Sequence, residues 1–110
     1  MADFSFIQEA FGEDNEMKSL FLNSLKVELE KYEQAILTSI QQSNQEMFEE
    51  TIHKFKPQAI QLGENDFVSF LGECKNKFST NSSDGLAEKL RMKFDKLTTE
   101  IAAEIDKLST

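Results

Sequence analysis

His53 is the only histidine in the chain, and it lies four residues before the only proline, in the stretch EETIHKFKPQAIQLGE. Imidazole side chains titrate at a pH of about 6.5 in model peptides, so a ring nitrogen is largely uncharged at physiological pH. Such a nitrogen can attack phosphorus as a nucleophile. Lys56 lies one helical turn further on, where its ammonium group can offset the charge of a bound phosphoryl group.

Three other kinds of site find little support in the sequence. Glu50 and His53 have the spacing of carboxylate-bridged di-iron bundles, but that site needs two such motifs and the chain has a single histidine. Cys74 repeats with apolar residues at helical spacing, so we expect it to be buried and not to pair with His53 as a catalytic thiol. The chain contains no glycine-rich phosphate loop, which leaves ATP binding without support.

The helical phase predicts that His53 points to solvent. At about 100° per residue, the apolar residues of this segment fall on one arc about 80° wide. They are Phe48, Ile52, Phe55, Ala59 and Leu62. His53 lies about 140° from the centre of that arc, and Pro57 and Ile60 lie within about 40° of His53. Glu49 precedes His53 by one turn, and Lys54 and Lys56 flank it on opposite sides.

Four interpretations of this exposed face remain open at this point. A surface histidine with no role is the commonest case, and isolated exposed apolar residues are normal. The small apolar spot at Pro57 and Ile60 would also suit a module that only binds a partner, or a bundle that associates with itself. The neighbouring lysines favour phosphoryl chemistry at His53.

Helices separated by short polar breaks account for the rest of the chain. We predict a short first helix in DFSFIQEAFG, with Asp3 as its cap and Gly12 as its stop, and a long second helix that ends at Ser43 and Asn44. Asn44 then caps the helix that carries His53, which ends near Gly63, and Asn65 caps the next helix. The segment STNSSDG reads as a loop, after which Ser83 or Asp84 opens the last helix.

Each of these long segments has one apolar stripe, and the stripes indicate which residues form the core. The second helix is predicted to bury Met17, Phe21, Leu25, Leu29, Tyr32, Ile36 and Ile40. The fourth is predicted to bury Phe67, Phe70 or Leu71, Cys74 and Phe78. The last is predicted to bury Leu86, Leu90, Phe94, Leu97, Ile101, Ile105 and Leu108. We therefore expect one all-α domain over residues 1–110, an up-and-down antiparallel four-helix bundle with a short additional N-terminal helix.

Composition limits the classes of partner. The chain has 110 residues and a net charge of −8, which disfavours nucleic acid and anionic membranes. A single cysteine excludes an internal disulfide and a cysteine-based zinc site. No apolar run approaches the length of about 20 residues that spans a bilayer, and the start lacks a secretory signal. We expect a soluble, cytoplasmic protein.

The segment HKFKPQAIQLG resembles the signature of histidine phosphotransfer (HPt) domains. That signature is a histidine, a lysine three residues on, a small residue at the fourth place and a glycine at the tenth. The matching residues here are His53, Lys56, Pro57 and Gly63. The resemblance extends to the whole chain: FIQEAFGEDNEMKSLFLNSLKVELEKYEQAI is similar to the first two helices of the family, and FVSFLGECKN to the helix after the motif.

The resemblance implies that His53 is phosphorylated and relays the phosphoryl group between aspartates of response-regulator receiver domains. It implies no kinase activity and no cofactor of the chain's own, because Mg²⁺ belongs to the acidic pocket of the receiver. Lys56 matches the lysine that steadies the phosphoryl group, and Lys54 is a helper by its position. The expected partners are receiver domains and a hybrid histidine kinase, with the chain itself monomeric. The expected partner-binding residues are Glu49, Pro57, Ile60 and Gly63.

Pro57 departs from the family pattern, in which many members have glycine at this place. Proline removes the N–H that would bond to the carbonyl of His53, and it disfavours helical angles at Lys56. The helix either continues with a bend beside His53 or stops and restarts at Pro57. We favour the helix that continues with a bend, because the apolar stripe keeps its phase from Ile52 through Leu62. Proline would then be the small, stiff residue that keeps the approach to the imidazole clear.

Overall fold

Five helices make up the part of the chain that the structure, a computed structural model, describes: residues 2–79 and 85–108. They are α1 (Ser5–Phe11), α2 (Asn15–Gln41), α3 (Gln45–Gln61), α4 (Asn65–Ser79) and α5 (Leu86–Leu108). The described ranges contain no strand, so the predicted all-α class is confirmed. The molecule measures 47 × 20 × 19 Å, which fits helices lying side by side along one axis. Within these ranges, no helix combines the length and the apolar content that crossing a membrane requires.

An aspartate side chain caps the start of the second helix, and an asparagine side chain caps the start of the third. The Asp14 carboxylate accepts a hydrogen bond of 3.1 Å from the Met17 N–H at the start of α2. The Asn44 side-chain oxygen accepts one of 3.0 Å from the Met47 N–H at the start of α3. Each satisfies an N–H that has no partner inside its helix. The predicted break and cap at Asn44 are confirmed, and they fix where the helix that carries His53 begins.

Two of the predicted caps are wrong by one residue. The first residue of α1 is Ser5, and Phe4 occupies the N-cap position. Asp3 therefore lies one residue before the N-cap, and its carboxylate accepts a hydrogen bond of 2.9 Å from the Ser5 N–H. Asn65 is the first residue of α4, because the Glu64 carbonyl already accepts from the Val68 N–H. Differences of one or two residues at the end of a helix are common, because the terminal turns of helices fray. The predicted start of the last helix, at Ser83 or Asp84, falls outside the described residues.

The apolar stripes form one continuous core. All five predicted core residues of α3 are buried, and so are five of the seven predicted in α5, with Ile105 and Leu108 packed at its edge. In α4, Leu71 takes the fully buried place and Phe70 lies half-buried at the edge of the core. The prediction for Met17 is wrong: its side chain is 44% exposed, and the buried face of α2 begins with Lys18 and Leu22 instead. Met17 lies about 100° from the buried Lys18 around the helix axis, so it falls beside the buried face and not on it.

Phe55 joins the four long helices at the centre of this core. Its ring lies 5.6 Å from that of Tyr32 in α2, 5.1 Å from Phe67 in α4 and 4.9 Å from Phe94 in α5, measured between centroids. The Phe67 and Phe94 rings also meet edge to face at 5.1 Å. Aromatic pairs at these separations each contribute about 0.5–1.5 kcal/mol beyond the burial of their surface. Phe55, which follows His53 by two residues, thus fixes α3 against every other long helix.

The start of the chain closes one end of the molecule. The Ala2 N–H donates to Glu100 of α5 at 2.8 Å, and the Asp3 N–H donates to the Leu62 carbonyl at the end of α3 at 2.7 Å. Gly63 follows with φ +70°, and a Cβ built there would lie 3.0 Å from the Cβ of Asp3. Glycine is therefore required at this turn both for its backbone angle and for its lack of a side chain.

Replacing Phe55 by alanine should destabilise the fold by about 3–5 kcal/mol, because it removes a buried ring that contacts three other helices. The free energy of unfolding, measured by urea denaturation followed by circular dichroism, tests this. Val27→Ala is the control, since Val27 is 51% exposed and its loss should change stability by less than about 0.5 kcal/mol. Equal effects of the two substitutions would show that Phe55 does not occupy the centre of the core.

Candidate functional site: an exposed histidine beside a groove

The side chain of His53 is exposed on α3, as the helical phase predicted. Its neighbours on both sides explain why: Ile52 and Phe55 are buried and set the rotation of the helix about its axis. With those two side chains held in the core, a residue one place after Ile52 must project to the outer surface. The packing of α3, and not a local contact of the imidazole, determines the position of the ring.

The helix that carries His53 continues without interruption through Pro57 to Gln61. Of the two outcomes considered for Pro57, the continuous helix is the one observed. Proline has no N–H, so the carbonyl of His53 receives no hydrogen bond from the residue one turn later. Pro57 is exposed, which places this part of the helix backbone beside solvent. The imidazole therefore stands on a continuous helix with a compact, rigid ring next to it.

A shallow cavity of about 160 Å³ lies beside His53, between α3 and α4. Glu49, His53 and Lys56 border it from α3. Gly72 and Lys75 border it from α4. Its floor is apolar and consists of Ile52, Val68 and Leu71. We call this feature the α3–α4 groove; it combines an imidazole with charged groups on an exposed surface.

An ion pair crosses the α3–α4 groove. The Nζ atom of Lys75 lies 3.6 Å from Oε1 of Glu49, and the two side chains are 58% and 38% exposed. Glu49 and Lys56 lie one turn on either side of His53 along α3, so the imidazole has an anion behind it and a cation ahead of it. The groove thus has a negative and a positive end on α3, with a further cation supplied by α4.

The other residues predicted for the site occupy different places. Lys54 is exposed but does not border the groove, because it lies about 100° from His53 around the helix axis. Pro57 and Ile60 are exposed on the His53 face, and the side chain of Ile60 is 54% exposed. Gly63 lies past the end of α3, about 15 Å along the helix from His53, and has a backbone role there. Glu49, His53, Lys56, Pro57 and Ile60 form one surface, which Lys54 and Gly63 do not share.

Sequence reasoning did not find the contribution of α4. Gly72 and Lys75 lie about 70–130° from the centre of the apolar stripe of their own helix. That is the same flank that Lys56 and His53 occupy on α3, so the two pairs of residues have comparable phases on their own helices. What the phase does not give is which neighbouring helix faces that flank. That relation follows only once α4 packs on α3.

Several groups with a raised pKa lie away from the groove opening. Burial raises the pKa of the Cys74 thiol to about 12, so the thiolate needed for nucleophilic chemistry is not formed near neutral pH. Burial is also the main cause of the raised pKa of Glu64, with the nearby Glu100 carboxylate adding to it. The pKa of Glu33 is raised by burial and by Asp95. Cys74 was predicted to be buried and is fully so.

Comparison with known proteins identified no relative of this chain. No protein-family model matches the chain, and searches of curated proteins and of solved structures found no significant match. The candidate site is therefore defined by its own geometry: an exposed imidazole on a continuous helix, beside a groove with an apolar floor and charged rims.

Proposed function

We propose that this protein is a histidine phosphotransfer protein, which carries a phosphoryl group on His53 between aspartates of response-regulator receiver domains. The observation that carries the proposal is the exposed imidazole of His53 with Lys56 one turn away at the border of the same groove. The similarity of HKFKPQAIQLG to the HPt signature supports it. The chain has no kinase activity of its own in this scheme, because it receives the group already activated.

The proposed chemistry needs no reactant beyond the two partners. An aspartyl phosphate of the first receiver is an acyl phosphate, and a neutral ring nitrogen of His53 attacks its phosphorus. The N–P bond forms as the P–O bond to the aspartate breaks, and the carboxylate leaves with the electron pair. In the second step, the aspartate of another receiver attacks the same phosphorus and the N–P bond breaks. Mg²⁺ bound in the receiver's acidic pocket offsets charge on the transferring group in both steps.

Charge and shape on the His53 face suit this partner. A receiver pocket is itself acidic, and Lys56 offers it a cation at the point of contact, although the chain as a whole carries −8. Pro57 adds little bulk beside the imidazole, and the exposed side chain of Ile60 supplies apolar surface for docking. We assign Glu49, Pro57 and Ile60 to the contact with the receiver. Gly63 acts through the turn that ends α3.

The finer architecture and the setting of the protein are part of the same proposal. We propose that α2–α5 form an up-and-down antiparallel four-helix bundle, with α1 packed on α2 as the additional N-terminal helix. Connections of three residues between α1 and α2, α2 and α3, and α3 and α4 favour antiparallel neighbours. The protein would act as a monomer in the cytoplasm, with receiver domains, including that of a hybrid histidine kinase, as its partners.

A non-catalytic interaction module is the alternative function. The exposed side chain of Ile60, next to Pro57 on the same face, favours it, because such a spot can dock a partner without any chemistry at His53. The two functions differ in what they require of the imidazole. A pure binding module keeps its affinity for the partner when His53 is replaced, and it carries no phosphate.

Incubation with a phosphorylated receiver should label the wild-type protein with a phosphate that is acid-labile and stable to alkali, as an N–P bond requires. The variant His53→Gln should take up no label. Its stability should change by less than about 0.5 kcal/mol, because the side chain is exposed. Radiolabelled transfer assays and circular dichroism measure the two effects. Undiminished label in His53→Gln would refute the assignment, and unchanged receiver binding without label in either protein would favour the interaction module.

The substitution Lys56→Ala should slow transfer to His53 by about 5–10-fold, equivalent to about 1 kcal/mol, because it removes a cation beside the phosphoryl group. Lys54→Ala is the matched control: it removes the same charge from the same helix, but Lys54 lies outside the groove. Rapid-quench measurements of transfer from one receiver give both rates. If the two variants slow transfer equally, the lysines act through general charge and Lys56 has no specific place in the site.

A further inference from the structure

The ion pair between Glu49 and Lys75 is the feature of the groove that the proposed function leaves unused. It joins α3 to α4 at 3.6 Å across the rim, one turn from His53. Both side chains are substantially exposed, at 38% and 58%. Ion pairs with this much exposure stabilise a fold only weakly, since water competes for both charges. Such a contact can be exchanged at little cost when a stronger anion appears nearby.

Space for that exchange exists on the α4 side. Gly72 borders the groove one turn before Lys75, and a Cβ built on it would meet nothing within 4 Å. The absence of a side chain at Gly72 leaves the wall of α4 open opposite the charged rim of α3. A group of the size of a phosphoryl can therefore sit over the floor formed by Ile52 and Leu71, between the two helices.

Phosphorylation would reverse the electrostatic preference of Lys75. A phosphoryl group brings a charge of about −1.5 to −2 near neutral pH and three strong acceptor oxygens. Glu49 lies one helical turn from His53, so its carboxylate would then face a like charge on the same helix face. Lys75, which the groove places within reach of both, gains more from the doubly charged phosphoryl oxygens than from one carboxylate.

We propose that Lys75 exchanges its contact with Glu49 for a contact with the phosphoryl group on His53, so that α4 supplies a second phosphoryl-binding cation in addition to Lys56. Only ion pairs change in this step; no covalent bond of the protein is made or broken. The inference rests on the proposed phosphorylation of His53, which it deepens. Before phosphorylation, Glu49 holds Lys75 at the rim; afterwards, Lys75 closes over the phosphoryl group and links α3 to α4 through it.

The test uses the full chain phosphorylated chemically, so that no receiver is needed. Phosphoramidate transfers its phosphoryl group to an imidazole: its own N–P bond breaks, ammonia leaves, and a new N–P bond forms to the ring. Phosphorus NMR then follows the pKa of the phosphorylated imidazole side chain as the pH is varied. Lys75→Ala should raise this pKa by about 0.2–0.7 units, because the contact with the dianion is lost. Lys77→Ala is the control: it removes the same charge from α4 at a position that does not border the groove, and it should leave the pKa unchanged within about 0.1 unit.

The substitution Glu49→Gln distinguishes an exchange of the Lys75 contact from a general effect of the Lys75 charge on the phosphoryl group. It removes the competitor for Lys75, so Lys75→Ala should raise the pKa of the phosphorylated imidazole by a larger amount in the Glu49→Gln background than in the wild type. Equal shifts in the two backgrounds, or equal shifts for Lys75→Ala and Lys77→Ala, would overturn the exchange. So would a failure of phosphoramidate to modify His53. If the shifts appear as expected but no receiver transfers its phosphoryl group, the proposed relay fails and the ion-pair exchange stands.

Discussion

The burial of Phe55 is the constraint on which the rest of the structure depends. Its ring contacts one ring from each of the other long helices, so α3 can neither rotate nor slide without opening the core. A helix fixed in this way has only one outer face, and His53 lies on it. The position of the imidazole is therefore a consequence of packing that occurs on the opposite side of the helix. The imidazole thus has a fixed orientation on the surface that follows from the packing of its helix.

The same constraint explains how proline is tolerated beside the site. Proline in a helix interior commonly costs about 3 kcal/mol, through a lost hydrogen bond and a steric clash. The buried stripe continues on both sides of Pro57, with Phe55 before it and Ala59 after it, and this packing holds the helix together across the defect. Because Pro57 is exposed, the carbonyl of His53 lies on the side of the helix that water can reach. The rigid ring occupies little space on the face where a partner would approach.

Much of the fold could be predicted because helical periodicity is strong in this chain. The stripe of α3 gave both its buried side and the exposure of His53, and the buried Cys74 followed from its own register. The starts of α1 and α4 were each misplaced by one residue, because side-chain type alone does not locate the first residue of a helix to better than one or two positions. Met17 was misplaced because the buried face of α2 lies about 100° further round the helix, where Lys18 is buried. The α4 side of the groove could not be predicted at all, since Lys75 meets Glu49 only through the packing of two helices.

The central claim, that the single imidazole of the chain becomes bonded to phosphorus, can be measured directly. Because His53 is the only histidine, growth with ¹⁵N-labelled histidine places the isotope in one side chain alone. After exposure of this protein to a phosphorylated receiver and removal of the receiver, the account predicts a phosphorus NMR resonance split by one-bond coupling to ¹⁵N. A protein-bound phosphorus resonance without that splitting would place the group on an atom other than a nitrogen of His53 and would contradict the account.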